Sequence, residues 1–95
     1  LSFAPPDLEK FPCLTLAYDA LKEGHTVPTV LNAANEVAVE EFLNFRLSFC
    51  DIPKVIEYTM NKMEVIKNPT LDDIYEIDKR AREYLKGQGL KELGL

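Results

Sequence analysis

The chain has 95 residues, of which 46% are hydrophobic and 28% are charged, and its net charge is -5. This size and composition predict one globular domain with a single core. Because the Lys and Arg residues are dispersed in an acidic chain, there is no basic stripe to bind phosphates, and nucleic acid is not an expected partner. No stretch approaches the roughly 18 consecutive apolar residues that a membrane span requires, so no membrane contact is expected.

The first residues predict an extended arm. Pro5 and Pro6 fix the backbone in an extended path and remove two amide donors. The apolar residues Phe3, Leu8 and Phe11 favour contact with a surface. The sequence begins with Leu1 and carries no signal peptide pattern, so we expect a segment of a longer polypeptide. The predicted organisation is an arm or linker over residues 1–11 and a helical domain over residues 12–95.

Two helices are predicted in the first half of that domain. Apolar residues at helical spacing predict a helix over about residues 12–23, ended by Gly24. Thr26 is the predicted N-cap of a second helix, with Pro28 in the first turn. This second helix is predicted over about residues 27–45, as the spine of the domain, from one long apolar stripe: Val30, Leu31, Ala34, Val37, Ala38, Phe42 and Phe45.

A third helix is predicted after a short segment, residues 47–50, whose composition favours a strand. Asp51 is the predicted N-cap, and the apolar spacing that follows predicts a helix over about residues 51–64.

The fourth helix follows the helix breaker Asn68-Pro69. Thr70 and Asp73 resemble a capping box, and Gly87 is the predicted end. For the tail from Gln88 to Leu95, two alternatives stay open: a weak continuation of the helix, or docking. The apolar stripe of this helix comprises Leu71, Ile74, Ile77, Ala81, Tyr84 and Leu85. The predicted fold is therefore all-α: a compact, irregular and partly orthogonal bundle of about four helices, preceded by the Pro-rich arm.

Residues able to carry chemistry are few. His25 lies between two predicted helices without a sequence partner, so a turn role is favoured over catalysis. Cys13 and Cys50 lie in apolar stretches, which predicts buried thiols rather than a disulfide. Asp72 and Glu76 share a helix face, but two carboxylates at a helix N-terminus favour helix stabilisation over a metal site.

Asn32 and Asn35 are unusual because asparagine is a poor helix former, yet both fall in the middle of the predicted second helix. Three positions apart, they share one side of the helix. Two interpretations remain open: the amides hydrogen-bond a neighbouring loop within the bundle, or they reach another domain. Substrate contact is the least favoured reading.

Several segments, in this order, resemble the C-terminal domain of 1-deoxy-D-xylulose 5-phosphate reductoisomerases. The most specific are Phe11-Pro12-Cys13-Leu14 and Asn32-Ala33-Ala34-Asn35-Glu36, supported by Phe3-Ala4-Pro5-Pro6-Asp7, Leu16-Ala17-Tyr18 and residues 49–52. The resemblance implies a parent enzyme that converts 1-deoxy-D-xylulose 5-phosphate to 2-C-methyl-D-erythritol 4-phosphate for isoprenoid synthesis. It also implies NADPH and Mg or Mn as the parent's cofactors, bound by upstream nucleotide-binding and catalytic domains.

No catalytic, cofactor-binding or metal-binding residue of the family is placed on this sequence. Asn61-Lys62 followed by Glu64 is similar to the family's substrate-binding Asn-Lys motif, but Val65 stands where that motif has Glu. We therefore expect an accessory domain that braces the catalytic domain and is inactive alone. The alternative is an independent helical module that binds another protein.

The resemblance implies that the partners of this segment are the upstream domains of the same chain. It leaves a homodimeric parent open. It implies a cytoplasmic location in a bacterium, or a plastid location if the organism has plastids.

Overall fold

The computed structural model describes residues 12–95, with side chains from residue 15 onward; the predicted arm lies outside these described residues. The helices are α1 (Pro12–Glu23), α2 (Val27–Leu43), α3 (Ile52–Lys62) and α4 (Leu71–Tyr84), and a 3₁₀ turn, Phe49–Asp51, precedes α3. A π-helical turn, Leu85–Gly89, and a short helix, Leu90–Glu92, continue α4 into what we call the C-terminal extension (residues 85–95). Residues 12–95 contain no strand, and the predicted all-α bundle is confirmed.

Helix α2 is the spine of the bundle, as its apolar stripe predicted, because α1, α3 and α4 all pack against it. Its buried residues are Val27, Val30, Ala33, Ala34, Val37 and Ala38. Three of these are alanines with no exposed surface, so neighbouring helices can approach the α2 backbone closely. None of the described helices has the length and apolar character needed to cross a bilayer.

The largest core cluster joins the second half of α2 to α3 and to the start of the C-terminal extension. It consists of Ala34, Val37, Ala38, Leu47, Ile52, Val55, Ile56 and Leu85. Burying a side chain of the size of Ile or Leu contributes roughly 1.5–3 kcal/mol, so this cluster stabilises the packing of α3 and the C-terminal extension on α2. Leu47 reaches the core from a turn that leads into the 3₁₀ helix, and the predicted strand character of residues 47–50 is wrong.

Thr26 and Asp51 occupy the N-cap positions of α2 and α3, but neither side chain caps its helix. The fully buried Thr26 hydroxyl accepts a hydrogen bond from the Ile66 amide at 2.9 Å, 40 residues along the chain. The Asp51 carboxylate accepts from the Ser48 amide at 3.2 Å and from its hydroxyl at 2.8 Å. The Thr26 hydroxyl thus links two segments that are distant in sequence, while Asp51 forms a capping box with Ser48 at the start of the 3₁₀ turn.

The start of α4 agrees with the predicted capping box. The Asp73 amide donates to the Thr70 hydroxyl at 3.2 Å, and the Thr70 amide donates to the Asp73 carboxylate at 3.0 Å. The predicted end at Gly87 is wrong, because the chain continues through the π-helical turn. Gly89 is buried there, and a Cβ atom on it would lie 3.0 Å from the side chains of Tyr84 and Leu85.

Helix α2 ends at Leu43, two residues before the predicted end, in a Schellman motif. The Arg46 amide donates to the Glu41 carbonyl at 2.9 Å, and the Phe45 amide donates to the Phe42 carbonyl at 3.0 Å. Phe45 takes the left-handed position, with φ of 61°, where glycine is usual. It was predicted to belong to the core stripe, but its side chain is 97% exposed.

We predict that Phe45→Gly stabilises the chain. The left-handed conformation costs a bulky residue about 1–2 kcal/mol, while an exposed ring loses little packing on removal, so a gain of about 1 kcal/mol is expected. Leu43→Gly is the matched control: it also removes an exposed apolar side chain, but at the last helical residue of α2, and should destabilise by up to about 1 kcal/mol. Urea denaturation followed by circular dichroism measures the free energy of unfolding of both variants. A change of the same sign in both would contradict the left-handed strain assigned to Phe45.

Candidate functional site

His25 lies in the turn between α1 and α2, with a positive φ of 54° and an exposed side chain. Its Nδ1 atom accepts a hydrogen bond from the Asn68 amide at 3.2 Å. This bond ties the α1–α2 turn to the segment before α4. The geometry therefore agrees with the predicted turn role.

The carboxylates at the start of α4 do not assemble a metal site with other groups. Asp72 is exposed, and Glu76 pairs with Arg80 one helical turn later at 3.3 Å. Among residues 15–95, whose side chains the structure describes, there is no group of three or more His, Cys, Asp or Glu side chains that could hold a metal ion. The acidic side chains at the N-terminus of α4 instead stabilise the helix by interacting with the positive end of its dipole.

Cys50 is a free, exposed thiol, so the prediction of a buried thiol is wrong for this residue. It lies in the 3₁₀ turn, none of whose residues is buried, and the core contact of this segment comes from Leu47 just before the turn. The side chain of Cys13 lies outside the described residues.

Asn32 is exposed and Asn35 is half-buried, both on α2. Within the part of the chain that the structure describes, neither side chain has a hydrogen-bond partner. The bonds to a neighbouring loop that one interpretation required are therefore absent among these residues. Because an asparagine in the middle of a helix competes with the helical backbone hydrogen bonds, these amides weaken α2.

Asn32 lines a shallow groove of about 550 Å³ between α2 and α4. We call it the α2–α4 groove; its lining includes Thr29, Asn32, Leu71, Tyr75 and Asp78. Leu71 is 85% exposed and Tyr75 is 74% exposed. Leu71 was assigned to the core stripe, which is wrong because Ile77 and Ala81 carry the buried face of α4. The spacing of Leu71 and Tyr75, one turn apart, was the sequence signal for this second apolar face.

Arg82 fixes α4 against α2 at one end of the groove. Its guanidinium donates to the Asp78 carboxylate at 3.0 Å and to the Glu36 carboxylate at 2.6 Å. These bonds, first to Asp78 and then to Glu36, raise the pKa of Arg82 above its usual value. The Asp78 carboxylate is thus already paired where it borders the groove.

A cluster of polar side chains that sequence reasoning missed holds the C-terminal extension. Glu92 accepts hydrogen bonds from the hydroxyls of Tyr58 on α3 and Tyr84 at the end of α4, and from the Gln88 amide. The bonds from Tyr58 and then Tyr84 lower the pKa of the Glu92 carboxyl, and the bond to Glu92 raises the pKa of Tyr84. The Tyr58 bond joins residues 34 positions apart, so helical periodicity gives no signal for it, whereas Gln88 and Glu92 lie four residues apart, at helical spacing.

Comparison with known families decides what the chain is related to. The family model described as the DXP reductoisomerase C-terminal domain matches residues 1–84. The chain belongs to this family. The resemblance found in the sequence motifs is confirmed, and the C-terminal extension lies beyond the matched residues.

The chain is similar to part of several longer curated proteins that are named as reductoisomerases. The 1-deoxy-D-xylulose 5-phosphate reductoisomerase of Thermoanaerobacter pseudethanolicus is 54% identical over 83 residues, which cover 87% of this chain and 22% of the relative. That of Clostridium perfringens is 47% identical over 85 residues, with 90% and 22% covered. The chain therefore spans only 22% of the length of these relatives.

A solved structure shares the fold. The reductoisomerase of Zymomonas mobilis, determined in complex with NADPH, matches with a TM-score of 0.85 and 40% sequence identity. The match covers 93% of this chain and 23% of that one. The helical bundle is therefore the fold of the reductoisomerase C-terminal domain.

The Asn61-Lys62 pair lies in the last turn of α3, and both side chains are exposed. The Lys62 ammonium stands 5.4 Å from the centre of the Tyr58 ring, a cation–π distance. Its contact is thus within the reductoisomerase C-terminal domain itself.

We predict a pH-dependent contribution of Glu92 to stability. Because its folded-state pKa is lowered from the ordinary 4.5, the stabilising effect is present above that value and is lost as the pH falls through the folded-state pKa. The difference in melting temperature between the wild type and Glu92→Gln should be largest above about pH 5 and shrink on further acidification. Glu83→Gln, an exposed glutamate on α4 without a hydrogen bond in the described structure, is the control; the same pH trend there would contradict the assignment.

Proposed function

We propose that the chain is the C-terminal accessory domain of a 1-deoxy-D-xylulose 5-phosphate reductoisomerase. The parent enzyme would convert 1-deoxy-D-xylulose 5-phosphate to 2-C-methyl-D-erythritol 4-phosphate with NADPH, for isoprenoid synthesis. The observation that carries this proposal is the family match over residues 1–84, together with relatives of which the chain covers 22%. The role of the domain is to brace the catalytic domain.

The cofactors of the parent belong to its preceding domains in this proposal. The described residues do not fit a divalent cation, since they bring no three potential ligands together. The α2–α4 groove does not fit the phosphates of NADPH either, because Asp78 borders it and no Lys or Arg lines it. In this proposal the domain provides a surface that holds the catalytic domain in place.

The alternative, an independent module that binds a foreign helix, has less support. Grooves of that kind take a series of anchors from successive helical turns. The α2–α4 groove is shallow, and its two largest exposed apolar side chains, Leu71 and Tyr75, are one turn apart. A surface of this kind suits a contact with a neighbouring domain of the same chain.

We predict that the 95-residue chain alone does not oxidise NADPH in the presence of 1-deoxy-D-xylulose 5-phosphate and Mg²⁺. The reason is that the groups for hydride transfer and metal binding lie upstream. The measurement is the loss of NADPH absorbance, with the full-length enzyme of the same organism as the positive control. Turnover by the purified chain would overturn the accessory role.

We further predict that Asn35→Ala in the full-length enzyme costs stability more than chemistry. The half-buried amide is proposed to pair with the preceding domains, so its loss should lower the melting temperature. The kcat, measured well below that temperature, should stay within about twofold because no group in contact with substrate is changed. An unchanged melting temperature with collapsed turnover would contradict this prediction.

A further inference from the structure

The α2–α4 groove combines two features that the isolated domain does not use. Leu71 and Tyr75 place two large apolar side chains on one side of it, 85% and 74% exposed. Asn32 places an amide in the same groove, without a hydrogen bond among the described residues. Both features are unfavourable on a helix surface that faces solvent. Leu71 and Tyr75 expose apolar area to water, and Asn32 is a poor helix former.

The walls of the groove are held rigidly. Arg82 links α4 to α2 through Asp78 and Glu36, at 3.0 Å and 2.6 Å. At the other end, the Thr26 hydroxyl accepts from the Ile66 amide, which fixes the segment that leads into α4. A preformed surface loses little conformational entropy when a partner binds.

The chemistry of the groove selects an uncharged protein segment as its occupant. The carboxylate of Asp78 disfavours a phosphate or carboxylate ligand, and it is already paired with Arg82. The Asn32 amide offers one acceptor and a two-proton donor, which matches the carbonyl and N–H of a backbone peptide group. Leu71 and Tyr75 beside it suit an apolar side chain of the same segment.

The length of the family's polypeptide indicates where that segment comes from. This chain spans 22% of the Thermoanaerobacter relative and 23% of the Zymomonas one. The family model describes it as a C-terminal domain, so the remaining chain of those enzymes precedes it. In the proposed parent enzyme, those preceding domains are a partner within the same polypeptide, at high effective concentration.

We propose that the α2–α4 groove is the surface on which a loop of the preceding domains of the same chain docks, with a backbone peptide group on Asn32 and an apolar side chain between Leu71 and Tyr75. This rests on the proposed function, and it names the docking surface and the chemistry of its occupant. Docking covers the apolar side chains and satisfies the amide, which offsets the helix-weakening effect of asparagine.

The test uses the full-length reductoisomerase and the sign of a change in melting temperature. On an exposed helix surface, Asn32→Ala should raise the melting temperature because alanine is the better helix former. In a docked groove, the same change leaves a peptide group of the partner loop unpaired, and a fall of about 2–4 °C is expected. Tyr75→Ala should lower the melting temperature as well.

Asn61→Ala is the matched control, since Asn61 is an exposed asparagine on α3, away from the groove. It should raise the melting temperature slightly or leave it unchanged. If Asn32→Ala behaves like Asn61→Ala and Tyr75→Ala has no effect, the groove faces solvent and the proposal is overturned.

Size-exclusion chromatography of the variants separates the possible occupants. A lowered melting temperature without a change in oligomeric state supports docking within the chain. Dissociation into smaller species on Asn32→Ala or Tyr75→Ala would assign the groove to a second copy and overturn the proposal. The proposed function is tested separately by turnover of the full-length wild-type enzyme. If that enzyme shows no reductoisomerase activity, the proposed function fails, whatever the melting temperatures of the variants show.

Discussion

The packing of helix α2 is the constraint on which the rest of the bundle depends. Ala33, Ala34 and Ala38 have no exposed surface, and helices α1, α3 and α4 all pack against α2. Small side chains on the buried side let these helices approach closely, and the packed interior leaves little room for larger ones. Since the inner side of α2 is fully occupied by the core, its polar residues are confined to the outer side.

Two long-range hydrogen bonds hold the start of α4 beside the start of α2 and so define the outer surface between them. The turn before α2 binds the segment before α4 through Thr26 with Ile66 and through His25 with Asn68. They bring the start of α4 alongside the start of α2, and the ion pairs of Arg82 fix the helices further along. The α2–α4 groove is a consequence of these contacts. The docking proposed for the preceding domains rests on this defined surface.

The sequence by itself determined the helical elements and the family. Helical periodicity is a local property, so the apolar stripes located α1 and the spine helix α2 within a few residues. The capping box of Thr70 and Asp73 was readable for the same reason, since its two hydrogen bonds join residues three apart. The order of the Phe-Pro-Cys-Leu and Asn-Ala-Ala-Asn-Glu motifs was sufficient to indicate the reductoisomerase family, which the family model then confirmed.

Only the tertiary structure decided which apolar and polar side chains are used inside the domain. An apolar stripe does not reveal where the neighbouring helices end, so Phe45 and Leu71 were assigned to the core although both are exposed. Thr26 was expected to cap a helix, but its hydroxyl is taken by an amide 40 residues away. The C-terminal extension passes Gly87 because the tyrosines of two other helix segments bind Glu92. The position of Phe45 follows from the local Schellman motif, but the bonds of Thr26 and Tyr58 join residues 40 and 34 positions apart, which local spacing does not encode.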